Sequence, residues 1–251
     1  GSGMENFTKL GESYYFHKDD VLIVNQYFSS ILNWEDKKVV LEQKTEIPLK
    51  DTAEFTVKGK FKGTIALRLP EWLSAEASVT VDGQAYDYKV ANQTEKSKGY
   101  AIIEGPFADG TKIVITLPMK VTAHNLPDGE NVYAFKYGPV ALSALLGKEN
   151  MALSSTGMWV TIPAERCFLE DYIPSESETV TVKTDTVQEF IDNIDKYLVR
   201  DEDADRLQFT LLNTDSNLIY VTHYSQYQER YGLYLKFSDD HTSLDKAAIL
   251  A

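Results

Sequence analysis

The chain has 251 residues, 43% hydrophobic and 25% charged, enough apolar content to bury a core and not the composition of a disordered polymer. Its net charge of −13, from 38 acidic and 25 basic residues, repels phosphate backbones and anionic lipid, which argues against nucleic acid and membrane surfaces as partners. The single cysteine, Cys167, allows neither an internal disulfide nor a cysteine-rich zinc site, and it reads as a small packing residue.

Gly1-Ser2-Gly3-Met4 has the look of an expression remnant, and residues 1–12 read as a lead-in outside the fold. Tyr15-Phe16 and Val21-Leu22-Ile23-Val24 then flank the turn residues His17-Lys18-Asp19-Asp20, which predicts two strands. Asn33 to Lys38 is a polar loop carrying Trp34, followed by strand-like Val39-Val40-Leu41. Ala53 to Val57 alternates, and Thr64 to Leu69 is a strand ended by Pro70. Ala77 to Val81 runs into Asp82-Gly83, a tight-hairpin pair, and Tyr100 to Ile103 leads to Asp109-Gly110, a second hairpin signal. Lys112 to Leu117 alternates, and Val132 to Tyr137 is a strand halted by Gly138-Pro139.

Small and polar residues from Gly147 to Ser155 suit a junction, so the sequence predicts a first β-sandwich over 13–147 and a second over 148–251. In the second, Thr179 to Val182 is strand-like. Val187, Phe190, Ile191, Ile194, Tyr197 and Leu198 share one helical face, predicting an amphipathic helix over 186–198. Strands follow at Leu207 to Leu212, Leu218 to Tyr224 and Tyr231 to Phe237. The class is therefore all-β, mainly antiparallel, with two sandwich modules and one helix.

Motifs for chemistry are scarce. No glycine-rich phosphate loop, nucleophile elbow or HExxH occurs, so no cofactor or catalytic residue is assigned. His17, His124, His223 and His241 are widely spaced, and ordinary surface histidines outweigh a metal site. Asp201-Glu202-Asp203 reads as a solvated acidic loop ahead of a calcium ligand set. Exposed indoles stack on the apolar faces of sugar rings, which makes Trp34 and Trp159 the candidate ligand-binding residues, though each is weighed against plain packing, as are Trp72 and the tyrosines at 220, 224, 227, 231 and 234.

Several blocks together resemble the region downstream of the catalytic barrel in glycoside hydrolase family 127, which includes β-L-arabinofuranosidases. They are Tyr14 to Ser30, Leu67-Arg68-Leu69-Pro70-Glu71-Trp72, Val79-Thr80-Val81-Asp82-Gly83, Asp109 to Met119 and Ala134 to Val140. His223 to Tyr234 resembles the closing pattern of the further sandwich in such proteins, with Gln228 or a neighbour where a histidine is usual. The resemblance implies an accessory region packed on an (α/α)6 catalytic barrel, its main partner, and a secreted or periplasmic parent. The family's cysteine nucleophile, zinc-bound cysteine cluster and glutamate acid/base have no counterpart here, and Cys167 falls in the wrong module. A carbohydrate-binding module is the alternative, and an independent enzyme ranks last.

Overall fold

A computed structural model describes Asn6 and residues 9–127, 129–148, 179–226 and 229–241, which form two compact units, Gly1–Lys120 and Val121–Ala251. Among the described residues the first unit holds a five-stranded and a six-stranded sheet. The five-stranded sheet runs β1 (Tyr15–Lys18), β2 (Val21–Val24), β6 (Thr64–Arg68), β10 (Tyr100–Glu104), β9 (Lys89–Ala91). The six-stranded sheet runs β3 (Ser30–Trp34), β4 (Val39–Thr45), β5 (Thr52–Lys58), β11 (Lys112–Thr116), β7 (Ser78–Val81), β8 (Gln84–Tyr86). The strand pairs are antiparallel apart from β2 with β6, which is parallel.

Side chains alternate across each strand, so every second residue points into the sandwich. Leu22, Val24, Ile65, Leu67, Ala101 and Ile103 from one sheet share a core with Leu41, Phe55, Val57, Val79, Ile113 and Ile115 from the other. The Asp82-Gly83 pair joins β7 to β8 as a two-residue turn with both φ angles positive (+50° and +80°), the backbone that this residue pair accepts at least cost. Asp109-Gly110 does not close a hairpin. It carries the chain from β10 in one sheet to β11 in the other, where the Asp109 carboxylate accepts the Gly59 N–H (2.7 Å) and the Gly110 N–H donates to the Val57 carbonyl (2.8 Å).

Among the described residues of the second unit, the nine strands belong to one hydrogen-bonded network rather than two separate sheets. Its path is β15 (Thr179–Thr181), β20 (Leu235–Ser238), β13 (Val132–Tyr137), β14 (Val140–Leu145), β18 (Ile219–Thr222), β17 (Gln208–Leu211), β16 (Leu198–Arg200). It branches where β12 (Val121–Asn125) joins β13 and β19 (Tyr231–Gly232) joins β14. The sequence reading places a module junction near Gly147, but the units divide between Lys120 and Val121. The reason is hydrogen bonding: β13 and β14 pair with β20 and β18, so the chain enters the second unit before residue 147.

The amphipathic segment forms two short helices, α1 (Val187–Asp192) and α2 (Ile194–Tyr197), broken at Asn193. Asn193 leaves helical backbone (φ −113°, ψ 22°), and its side-chain amide donates to the Glu189 carbonyl (2.9 Å). Val187, Phe190 and Ile194 still face one core, with Phe135, Phe209, Tyr220 and Phe237. Thr186 opens α1 by accepting the Glu189 N–H at its hydroxyl (3.1 Å). Removing that cap in Thr186→Ala is expected to lower stability by about 1 kcal/mol, read as a shifted thermal midpoint.

Candidate interaction surfaces

The structure separates the residues singled out as ligand contacts. Trp34 is no exposed platform: it ends β3 rather than sitting in a loop, and only 7% of it is exposed. The alternation of β3 turns it inward, against Phe61 (ring centroids 5.5 Å) and His17 (5.2 Å). Trp72 is half-buried against the same core, whereas Trp159, Cys167 and Tyr227 lie outside the described residues. Asp201 is engaged by the Asp203 N–H (3.1 Å) and the Gln208 amide (3.4 Å), and Glu202 pairs with Arg200 (3.3 Å). Among the described residues no three His, Cys, Asp or Glu side chains converge as a metal site, and no helix is long and apolar enough to cross a membrane.

The tyrosine series divides. Tyr220 is fully buried against Phe135, and burial pushes its phenol well above the usual range. Tyr224, Tyr231 and Tyr234 are exposed, and the Tyr231 ring meets His223 edge-on at 5.1 Å. The arginine of the closing pattern, Arg230, is a fastener. Its guanidinium donates to the Leu146 carbonyl (2.7 Å), and its backbone exchanges hydrogen bonds with Leu146 and Gly147 (both 2.9 Å), fixing the end of β14.

The first unit offers two unlike outer faces. On the six-stranded sheet the outward positions mix charged residues with Ile31, Val40 and Val114, and Glu42 receives Lys58 (2.8 Å) and Lys44 (3.2 Å) while Glu54 receives Lys112 (3.4 Å). Lys58 and Lys44 hold the Glu42 carboxyl below its usual range.

The five-stranded sheet carries one apolar row on its outer face, between rows that hold Lys18, Thr64 and Glu104 on one side and polar groups on the other. Its register sets Phe16 opposite Ile23, Ile23 opposite Ala66 and Ala66 opposite Ile102, one apolar row across four strands. The neighbouring row contains Asn25, Arg68 and Tyr100, with the Tyr100 hydroxyl donating to the Asn25 amide oxygen (2.9 Å). At the β1 end the Tyr14 ring stacks on Phe28 (4.9 Å, 18°), and Phe16 and Phe28 are 47% and 52% exposed. In the row on the other side, Thr64 and Glu104 line an open recess of about 400 Å³ with Lys62, Gly63, Gly105 and Pro106. Gly63 is obligatory there, since a Cβ would sit 2.2 Å from the Asp20 carbonyl oxygen.

Buried groups brace this face. The Tyr27 hydroxyl donates to the Arg68 carbonyl, and burial drives its phenol well above the usual range, so it stays protonated. Gln43, 1% exposed, donates from its amide to the carbonyls of Gln26 (3.3 Å) and Phe28 (2.5 Å), tying down the segment that presents Phe28. Gln43→Ala leaves both carbonyls without that donor and is expected to cost about 1–3 kcal/mol in a urea titration. None of these face residues carries a recognisable motif. The signal available in the sequence is that Val21-Leu22-Ile23-Val24 is apolar at every position, whereas β10 begins at Tyr100 and ends at Glu104.

Comparison with known proteins agrees with this architecture. Residues 21–119 match the family model described as the β-L-arabinofuranosidase GH127 middle domain. Among solved structures, a GH127 β-L-arabinofuranosidase from Geobacillus stearothermophilus superposes with a TM-score of 0.64 at 15% identity, over 94% of this chain and 37% of its own. A GH127 β-arabinofuranosidase gives 0.58 at 17% identity, over 90% and 36%. A protein described as a glycoside hydrolase gives 0.58 at 15%, over 90% and 37%. No curated protein matches the sequence. The chain thus spans little more than a third of the length of these structures. Residues 21–119 accordingly match the GH127 middle domain, and the chain as a whole has the fold of the β-sandwich region of GH127 proteins.

Proposed function

We propose that this chain is an accessory β-sandwich region of a glycoside hydrolase of the β-L-arabinofuranosidase type, supporting a catalytic domain and making no catalytic contribution of its own. The observation that carries this reading is the match of residues 21–119 to a GH127 middle domain within a chain about one third as long as the GH127 structures it resembles. In this reading bond cleavage belongs to an (α/α)6 barrel. Incubated with p-nitrophenyl β-L-arabinofuranoside, the chain alone is expected to release no nitrophenol above the buffer rate. Turnover that tracks with the purified chain would overturn the reading.

The Tyr14–Phe28 stack supports a second reading, a carbohydrate-binding module, because a half-exposed aromatic pair can receive the apolar face of a sugar. Calorimetric titration with arabinose-containing oligosaccharides separates the two. The accessory reading expects no saturable heat at millimolar sugar. Saturable heat that disappears in Phe28→Ala would move the assignment to the binding module.

A further inference from the structure

We propose that the edge strand β3 of the first unit is a self-association surface, and that its occupant is the β3 strand of a second copy of this chain, paired antiparallel about a two-fold axis. The inference concerns one side of the sandwich and does not rest on the accessory reading above.

Each sheet of the first unit ends in two edge strands, and the edges differ. Strands β8 and β9 are three residues each, joined through Asp87 and Tyr88, and β9 opens on Lys89. Short, charged edges resist pairing with another chain. At the other side β1 and β3 lie together, with the Tyr15 and Ser30 hydroxyls 2.8 Å apart and the His17 ring 5.2 Å from Trp34. Strand β1 ends in Lys18, whereas β3, Ser30-Ile31-Leu32-Asn33-Trp34, has no charged residue and no proline. Among the described residues β3 pairs with β4 alone, which leaves one edge of its backbone open to a further strand. Apolar side chains gather at the same side. Of the five large apolar residues exposed in the first unit, among those described, three are Phe16 on β1, Phe28 just ahead of β3, and Ile31, which is 64% exposed.

The distribution of charge selects a second copy. Residues 1–120 carry 17 acidic against 15 basic residues, and residues 121–251 carry 21 against 10. Two copies of a chain this acidic repel each other, and they do so least where their nearly neutral first units meet. Two β3 strands bring no like charges into opposition. With Leu32 on the axis, Ile31 of each copy lies opposite Asn33 of the other. Beside Ile31 on β4, the Glu42 carboxylate is already paired with Lys44 and Lys58. A strand of five residues makes a short contact, so the dimer is expected to be weak and to depend on concentration.

Sedimentation velocity of the 251-residue chain, from low micromolar to near-millimolar concentration, tests the assignment. The weight-average mass is expected to rise from that of a monomer towards twice that value. Ile31→Lys charges the exposed edge and should remain a monomer throughout, with an unchanged thermal midpoint. Val90→Lys makes the same change at β9, on the other side, and should associate as the unsubstituted chain does. Hydrogen exchange locates the contact without any substitution. Amides of β3 should exchange more slowly in the concentrated than in the dilute sample, with those of the central strand β5 unchanged. Should Ile31→Lys lower the midpoint, this exchange comparison decides alone. A monomer at every concentration would overturn the proposal, as would a dimer that Ile31→Lys leaves intact or β3 amides indifferent to concentration. Dissociation by Phe16→Lys with Ile31→Lys still dimeric would move the contact to the outer face of the five-stranded sheet and overturn it as well.

Discussion

Replacing Phe55 with alanine is expected to destabilise the first unit by about 3–5 kcal/mol, the largest effect of any single change in that unit. Phe55 is fully buried at the middle of β5, opposite Gln43 on β4 and Ile113 on β11, and its ring meets Tyr27 at 6.3 Å. Strands on both sides fix the backbone, so the sheet cannot close over the space left by the ring, and the cavity adds to the lost transfer energy. Urea unfolding followed by tryptophan fluorescence reads the effect, because Trp34 and Trp72 pack against the same core. A loss below about 1 kcal/mol would mean that the two sheets collapse onto the vacancy. Phe28→Ala is the contrast: its ring is half exposed, and the change should cost well under 1 kcal/mol.

Phe237→Ala is the corresponding change in the second unit, again expected to cost about 3–5 kcal/mol. Phe237 is 1% exposed on β20, with ring contacts to Phe135 (5.7 Å), Phe190 (5.8 Å) and Tyr133 (6.3 Å). It is thus the point where helix α1 meets the sheet. Its strand also joins β13 to the parallel edge strand β15. Loss of near-ultraviolet circular dichroism at a temperature where the unsubstituted chain keeps its signal is the expected readout. Phe237→Leu retains much of the volume and should recover more than half of the loss. Equal melting of the alanine and leucine variants would show that ring packing is not what anchors α1.

Where the hydrophobic period and the turn chemistry agreed, the sequence was easy to read. Val132 to Tyr137 is β13 with the bounds the pattern implied, and Asp82-Gly83 closes the β7–β8 hairpin. Asp109-Gly110 carries the same local signal but turns the chain between sheets, because pairing depends on partners remote in sequence. Asn193 splits the predicted helix, as its side chain competes for a backbone carbonyl within the same turn. The strand from Tyr231 to Phe237 is interrupted between Gly232 and Leu235, its two parts pairing with β14 and with β13 and β15. Trp34 was open to packing as well as to ligand stacking, and its polar neighbours Asn33 and Glu35 hid the inward strand position that decides for packing. The apolar row on the outer face was visible only in β2, where Val21 and Ile23 take positions that a strand open to water usually makes polar.

The parallel pairing of β2 with β6 also bears on how the first unit folds. Between these two neighbours the chain builds β3, β4 and β5, which belong to the other sheet. The β3–β4–β5 meander can form from contacts close along the chain, whereas β2, already paired with β1, gains β6 only after the loop that contains the meander has closed. The transition state for folding should therefore hold the meander, with the β1–β2 hairpin docking late. Substitutions in β2 would then speed unfolding and leave the refolding rate nearly unchanged.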